Sequence, residues 1–138
     1  MHIRSKFAAL ASTAVFATGL VAFAAAPADA TGPCGSGYAE VKSYNIPAKG
    51  PKKGVLRVYY SSRTGKNCAL AYGYGSTYGK ATYKSVTISV TDGTQADHDY
   101  GNFKKYAGPV YVSARHKCIS LSGWIEKTKV NLTKVHCR

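Results

Sequence analysis

Acidic side chains are scarce in this chain: six Asp and Glu stand against nineteen Lys and Arg in 138 residues. Glycoside hydrolysis needs two carboxylates across one sugar bond, and here Glu40 and Glu126 would meet only if the fold happened to join them. The chain has no GxSxG nucleophile elbow. His98, His116 and His136 show neither HExxH nor HxxxH spacing. No two cysteines are spaced as CxxC, which disfavours a zinc site. Beyond the first thirty residues no apolar run is long enough to span a bilayer. No segment carries a capped 3.6-residue apolar stripe, so amphipathic membrane-active helices are not expected either. Only in Asp97-His98-Asp99 does a titrating group sit among carboxylates. Adjacent residues of a strand point to opposite faces, so a regular strand would keep both acids from sharing the imidazole. Without a catalytic motif, the chain reads as a non-enzyme with no cofactor and no metal.

What is present begins with an export signal. Arg4 and Lys6 precede an apolar run from Phe7 to Ala26, Pro27 breaks it, and Ala28-Asp29-Ala30 supplies a small–x–small cleavage pattern. The run is rich in Ala, Gly and Thr and no basic stop-transfer cluster follows, which argues against a membrane anchor. Thr31-Gly32-Pro33 before Cys34 does not resemble a lipoprotein acylation box. Residues 1–30 are therefore read as a cleaved signal and 31–138 as one secreted domain. That domain keeps seventeen basic and five acidic residues, a net charge of +12. Such an excess favours anionic partners such as wall polymers or other polyanions, although no specific nucleic-acid motif is present.

All four cysteines, Cys34, Cys68, Cys118 and Cys137, lie in this domain, and an even count in a small exported chain reads as two disulfides. Sequence leaves three connectivities open. Cys34–Cys68 with Cys118–Cys137 is favoured because each pair brackets neighbouring strands. Each bridge would contribute about 2–4 kcal/mol by restricting the unfolded chain.

Strand patterns run throughout. GVLRVYYS sets Leu56, Val58 and Tyr60 on one face, and KSVTISVT alternates Val86, Ile88 and Val90 with Thr87, Ser89 and Thr91. PVYVSA, KCISLSGWI and KVNLTKV follow the same period, and AEVKSYNI does so more weakly. PAKGPKKG reads as a loop, while SRTGKN, TDGTQ and KYAGP read as turns. Seven or eight short strands at these intervals predict an all-β antiparallel sandwich or barrel.

The most site-like stretch is CALAYGYGSTYGKATY, Cys68 to Tyr83. Cys68, Leu70, Tyr72 and Tyr74 fall on one face, with Ala69, Ala71, Gly73 and Gly75 on the other. Cys68 and Leu70 draw Tyr72 inward with them, because a domain whose only phenylalanine is Phe103 must use tyrosine in its core. That leaves Tyr74, Tyr78 and Tyr83, with Lys80 between them, as a candidate ligand surface of rigid rings with polar tips. Lys49, Lys52 and Lys53 form the densest basic cluster and, with Arg57, Arg63 and Lys66, an electropositive end suited to phosphate-bearing polymers.

CGSGY at Cys34–Tyr38, TGKNC at Thr64–Cys68 and YAGPVYVSA at Tyr106–Ala114, together with Cys118-Ile119 and the final Cys137, resemble the small secreted spore-associated protein A family of filamentous actinobacteria. The resemblance spans most of the domain. It implies an exported protein at the aerial spore surface, with no assigned catalytic activity, cofactor or active site. The lysine loop and the His136-Cys137-Arg138 tail depart from the family pattern toward anionic partners. The leading expectation is a non-enzymatic protein of the outer cell or spore wall. A cationic effector acting on nucleic acid or anionic membranes is a second reading, and a small proteinase inhibitor presenting KGPKKG a third.

Overall fold

The computed structural model describes residues 32–138, so the signal and its cleavage site lie outside the described residues. Eight strands follow in order: β1 (Ala39–Ile46), β2 (Gly54–Ser61), β3 (Lys66–Gly73), β4 (Thr82–Val90), β5 (Ala96–Phe103), β6 (Tyr106–Ser113), β7 (Ile119–Ile125) and β8 (Thr128–Val135). A single 3₁₀ turn, Gly75–Thr77, stands between β3 and β4. The strands form two antiparallel four-stranded sheets, ordered β1-β2-β3-β6 and β5-β4-β7-β8. The expected all-β sandwich is present, and both favoured disulfides, Cys34–Cys68 and Cys118–Cys137, are formed.

Between the sheets lies an aliphatic core in which Leu56 and Val58 meet Val86, Ile88, Val90, Ile119, Leu121 and Ile125. The alternation in β4 and β7 puts these residues inward and the intervening Ser, Thr and Trp outward. β3 departs from expectation. Its small residues Ala69 and Ala71 join this core, while Cys68 and Leu70 are buried on the other, outer face of the sheet. There they form a second cluster with Cys34, banked by Tyr38, Tyr59, Tyr72, Tyr106 and Tyr111. The bulky side chains face outward because a tethered N-terminal segment covers them. Cys34 is bonded to Cys68, and Tyr111 Oη donates to the Cys34 carbonyl at 2.9 Å.

Two further differences concern β5 and β6. KYAGP is strand from Tyr106 onward, not a turn. Its Gly-Pro pair is accommodated because β6 lies at a sheet edge and carries a bulge there: Ala69 pairs with Val110 but Ala71 with Ala107. β5 has no apolar alternation at all, yet pairs with β4 along its full length. Asp97 and Asp99 on its inner side, with Gln95 just before the strand, close the seam to β6. Gln95 Oε1, Asp97 Oδ2 and Asp99 Oδ2 accept from the backbone N–H groups of Ser113, Tyr111 and Gly108 at 2.9, 2.9 and 2.7 Å. Side-chain acceptors thus occupy an edge that would otherwise be open to another strand. The opposite seam, β1 against β8, is bridged by Tyr44 Oη and His136 Nε2 at 2.9 Å.

Candidate functional site

At one end of the first sheet the β1–β2 loop and the 3₁₀ turn after β3 converge on one carbonyl. Lys53 O accepts from the Tyr74 N–H at 3.0 Å and from Thr77 Oγ1 at 2.6 Å. Thr77 Oγ1 in turn accepts from the Tyr74 N–H at 2.8 Å, and this threonine is buried. Lys53 N donates back to Ile46 O at 2.8 Å, so the lysine loop is anchored on both sides. Gly73 makes the turn feasible. A Cβ there would collide with the Thr77 carbonyl and would come within 2.9 Å of the Lys84 Cε.

Above this latch is a groove of ≈ 590 Å³ whose walls include Lys52, Arg57, Tyr72, Tyr74 and Tyr78. The register explains the assembly. Val55 pairs with Tyr72 across β2 and β3, and Arg57, two residues on, shares the outer face. The Arg57 guanidinium carbon lies 5.1 Å from the Tyr72 ring centroid, and Lys52 Nζ lies 4.3 Å from that of Tyr74. Two cations therefore sit against two rings in one depression. Tyr72 also meets Tyr106 on β6, ring centroids 5.1 Å apart. Tyr74 and Tyr78 are half exposed, at 52% and 51%. Burial, reinforced by Tyr59, pushes the Tyr72 hydroxyl up to about 12, although Arg57 pulls it the other way. The hydroxyl is therefore neutral at physiological pH and keeps its proton to donate.

Beneath the groove, on the core side of Gly73, lies a buried lysine that sequence reasoning passed over. Lys84 Nζ donates to Phe103 O at 2.7 Å, Thr82 Oγ1 at 2.8 Å and Lys80 O at 3.3 Å. No carboxylate is bonded to it. Burial lowers its amine below the ordinary lysine range, partly countered by the Glu126 charge. Its three neutral acceptors pin the segment that leads out of the groove to the end of β5.

The residues proposed from sequence separate here. Tyr74, Tyr78 and Lys52 come together in the groove. Lys53 supports it through its backbone, and Lys49 is exposed further along the same loop. Tyr83 does not join them: it is on β4 in the second sheet, next to the inward Lys84, and faces outward from that sheet. Lys80, in the connecting turn, contributes its carbonyl to Lys84. Tyr72 and Arg57 line the groove, the first having been assigned to the inner core. Its place followed from which face of β3 turned outward, and alternation alone cannot tell one face from the other. Asp97 and Asp99 are committed to β6 amides, while the His98 ring stacks on Tyr100 at 5.8 Å.

The β architecture, the two bridges and the tyrosine-flanked Cys34–Cys68 staple can now be set beside known proteins. The chain resembles spore-associated protein A of Streptomyces coelicolor. The two are 38% identical over 104 residues, which cover 75% of this chain and 64% of that protein. This bears out the resemblance read from CGSGY, TGKNC and YAGPVYVSA. The chain spans less than two thirds of the relative's length. No family model matches the chain, and no solved structure matches it.

Proposed function

We propose that this chain is a non-enzymatic protein of the spore or outer cell surface and holds an anionic wall polymer in the Lys52–Arg57–Tyr72–Tyr74–Tyr78 groove. The observation that carries the reading is the pair of cations packed on tyrosine rings within one depression. Cations there would meet phosphate or carboxylate groups, and the half-exposed rings would lie against sugar rings or the polymer backbone. The name of the relative, spore-associated protein A, supports the location. The domain's net charge of +12 would draw an anionic polymer toward it over a Debye length. Four of the domain's five carboxylates already have partners: Asp97 and Asp99 on β6, Asp92 with Lys117 at 2.9 Å, and Glu40 with Arg57 at the groove wall at 3.5 Å. Both side chains of the Glu40–Arg57 pair are solvent-exposed, and a polyanion would compete with it. That leaves little acid chemistry to spare and supports binding over catalysis.

The lysine loop suits this role better than inhibition of a proteinase. The Lys53 carbonyl is occupied by Tyr74 and Thr77, so the bond after Lys53 is tied into the fold instead of being presented. The test is co-sedimentation of the folded domain with purified spore walls across a salt series. Retention should fall as salt rises, and Lys52→Ala with Tyr74→Ala and Tyr78→Ala should weaken it at least about tenfold. Salt-independent retention, or a triple variant that binds like the parent, would refute the groove. Dye release from anionic vesicles at micromolar protein would instead favour the cationic effector.

A further inference from the structure

The second sheet presents a different surface. We infer that the outer face of β4, β5 and β7 is a binding platform for a neutral polysaccharide, separate from the charged groove. Tyr100 is 64% exposed and Tyr83 42% exposed, and Trp124 is half-buried on the same face. Ser85 pairs with Tyr100 on one side and with Trp124 on the other. The two aromatic residues are therefore two inter-strand spacings apart, about 9.6 Å, with a small hydroxyl between them. Tyr83 stands next along β4.

The row beyond is polar and hydrogen-bonding: Thr87 pairs with His98 and with Ser122, and Ser122 with Asn131. Ser122 Oγ donates to Asn131 Oδ1 at 2.8 Å, which leaves the Asn131 amide hydrogens for a ligand. A shallow depression of ≈ 290 Å³ runs over these hydroxyls.

Charge selects the occupant. The chain has nineteen Lys and Arg, yet no outward position of β4, β5 or β7 is Lys, Arg, Asp or Glu. Lys129 on β8 stands at the margin and lies over the Trp124 ring at 4.8 Å. An anionic polymer would gain only the Lys129 charge at this margin, against the Lys52 and Arg57 pair in the groove. A protein partner would want an apolar centre, and here the centre is a row of hydroxyls. A neutral glycan fits both parts, since its C–H faces stack on rings and its hydroxyls exchange hydrogen bonds with Ser, Thr and Asn.

Chitin and cellulose suspensions are the probes. The folded domain should be depleted from solution by at least one of them, and depletion should persist at about 1 M salt, where the screening length is about 3 Å. Tyr100→Ala with Trp124→Ala should weaken retention about tenfold or more. Tyr100→Ser, a change at an exposed edge position, should weaken it less while leaving the fold untouched. The chain has a single tryptophan, so a soluble chito- or cello-oligosaccharide should alter a fluorescence signal that reports this face alone. The groove triple variant should bind these neutral glycans as the parent does, so failure of either site is visible independently. Three results would overturn the platform: no depletion by either glycan, equal retention by Tyr100→Ser and the double variant, or a dimer in sedimentation that the double variant dissolves.

Discussion

The two faces of β3 show how one strand can serve two different interiors. Toward the other sheet it presents Ala69, Ala71 and Gly73, so that the opposing sheet and the Lys84 stem can come close. Away from it, Cys68, Leu70 and Tyr72 build a second cluster that is stapled by a disulfide and walled by tyrosines. The inner face is covered by the second sheet. The outer one relies on a covalent tether, because a sheet face covered by only a short segment lacks a second layer to exclude water. The groove forms where this outer cluster runs out toward Tyr74 and Tyr78.

The largest test of this contrast is removal of the staple. Cys34→Ser with Cys68→Ser opens a loop of sequence separation 34 and should cost about 4 kcal/mol in urea unfolding. A loss below about 1 kcal/mol would show that the outer cluster stands without its tether. Leu70→Ala on the outer face should cost about 3 kcal/mol, as a core leucine does, because Leu70 is fully buried. A cost like that of an exposed leucine would demote the cluster to a surface patch. Gly73→Ala, on the inner face, should cost about 2 kcal/mol by pressing on the Thr77 carbonyl and Lys84. It should also weaken wall binding by displacing the turn that carries Tyr74 and Tyr78.

The smallest effect is a titration. Tyr72 has its folded-state pKa raised from 10.0 to about 12. Its neutral form therefore contributes stability that is complete below pH 10 and is lost as pH rises from 10 to 12. Tyr72→Phe should flatten that part of the stability-versus-pH curve and leave neutral-pH stability nearly unchanged. An unchanged alkaline limb would mean that the hydroxyl is not desolvated in the groove.

Much of this fold was legible in the sequence. In β4 and β7 apolar residues alternate with mostly hydroxylated ones at period two, so the element and its inward face follow from the sequence, while the pairing partners do not. Both favoured bridges form: Cys118–Cys137 closes the ends of the β7–β8 pair, and Cys34–Cys68 ties the segment before β1 to the outer face of β3. β5 was hidden because its polar residues are used as hydrogen-bond acceptors for an edge strand, and burial patterning does not register that use. β6 was shortened because Gly108-Pro109 carries a turn signature that an edge bulge tolerates. Lys84 continues the inward side of β4, but a charged residue is not expected there until three carbonyl and hydroxyl oxygens are seen around it. In the candidate site, Tyr74, Tyr78 and Lys52 could be named from sequence. Arg57 is legible as a member of the basic end, whose other members Arg63 and Lys66 lie at the opposite end of the β2–β3 pair; Tyr72 is not legible there, and Tyr83 lies on the other sheet.

By itself, the sequence determined the class of fold, the excess of positive charge and the supply of tyrosines, because periodicity and composition are local properties of the chain. Only the tertiary structure decided which face of β3 turned outward, and that tyrosines from one short stretch would part onto two sheets. Those outcomes depend on what covers each face: a tethered N-terminal segment on one side of β3 and a second sheet on the other. A strand of strict alternation offers both faces equally, and packing partners far along the chain choose between them.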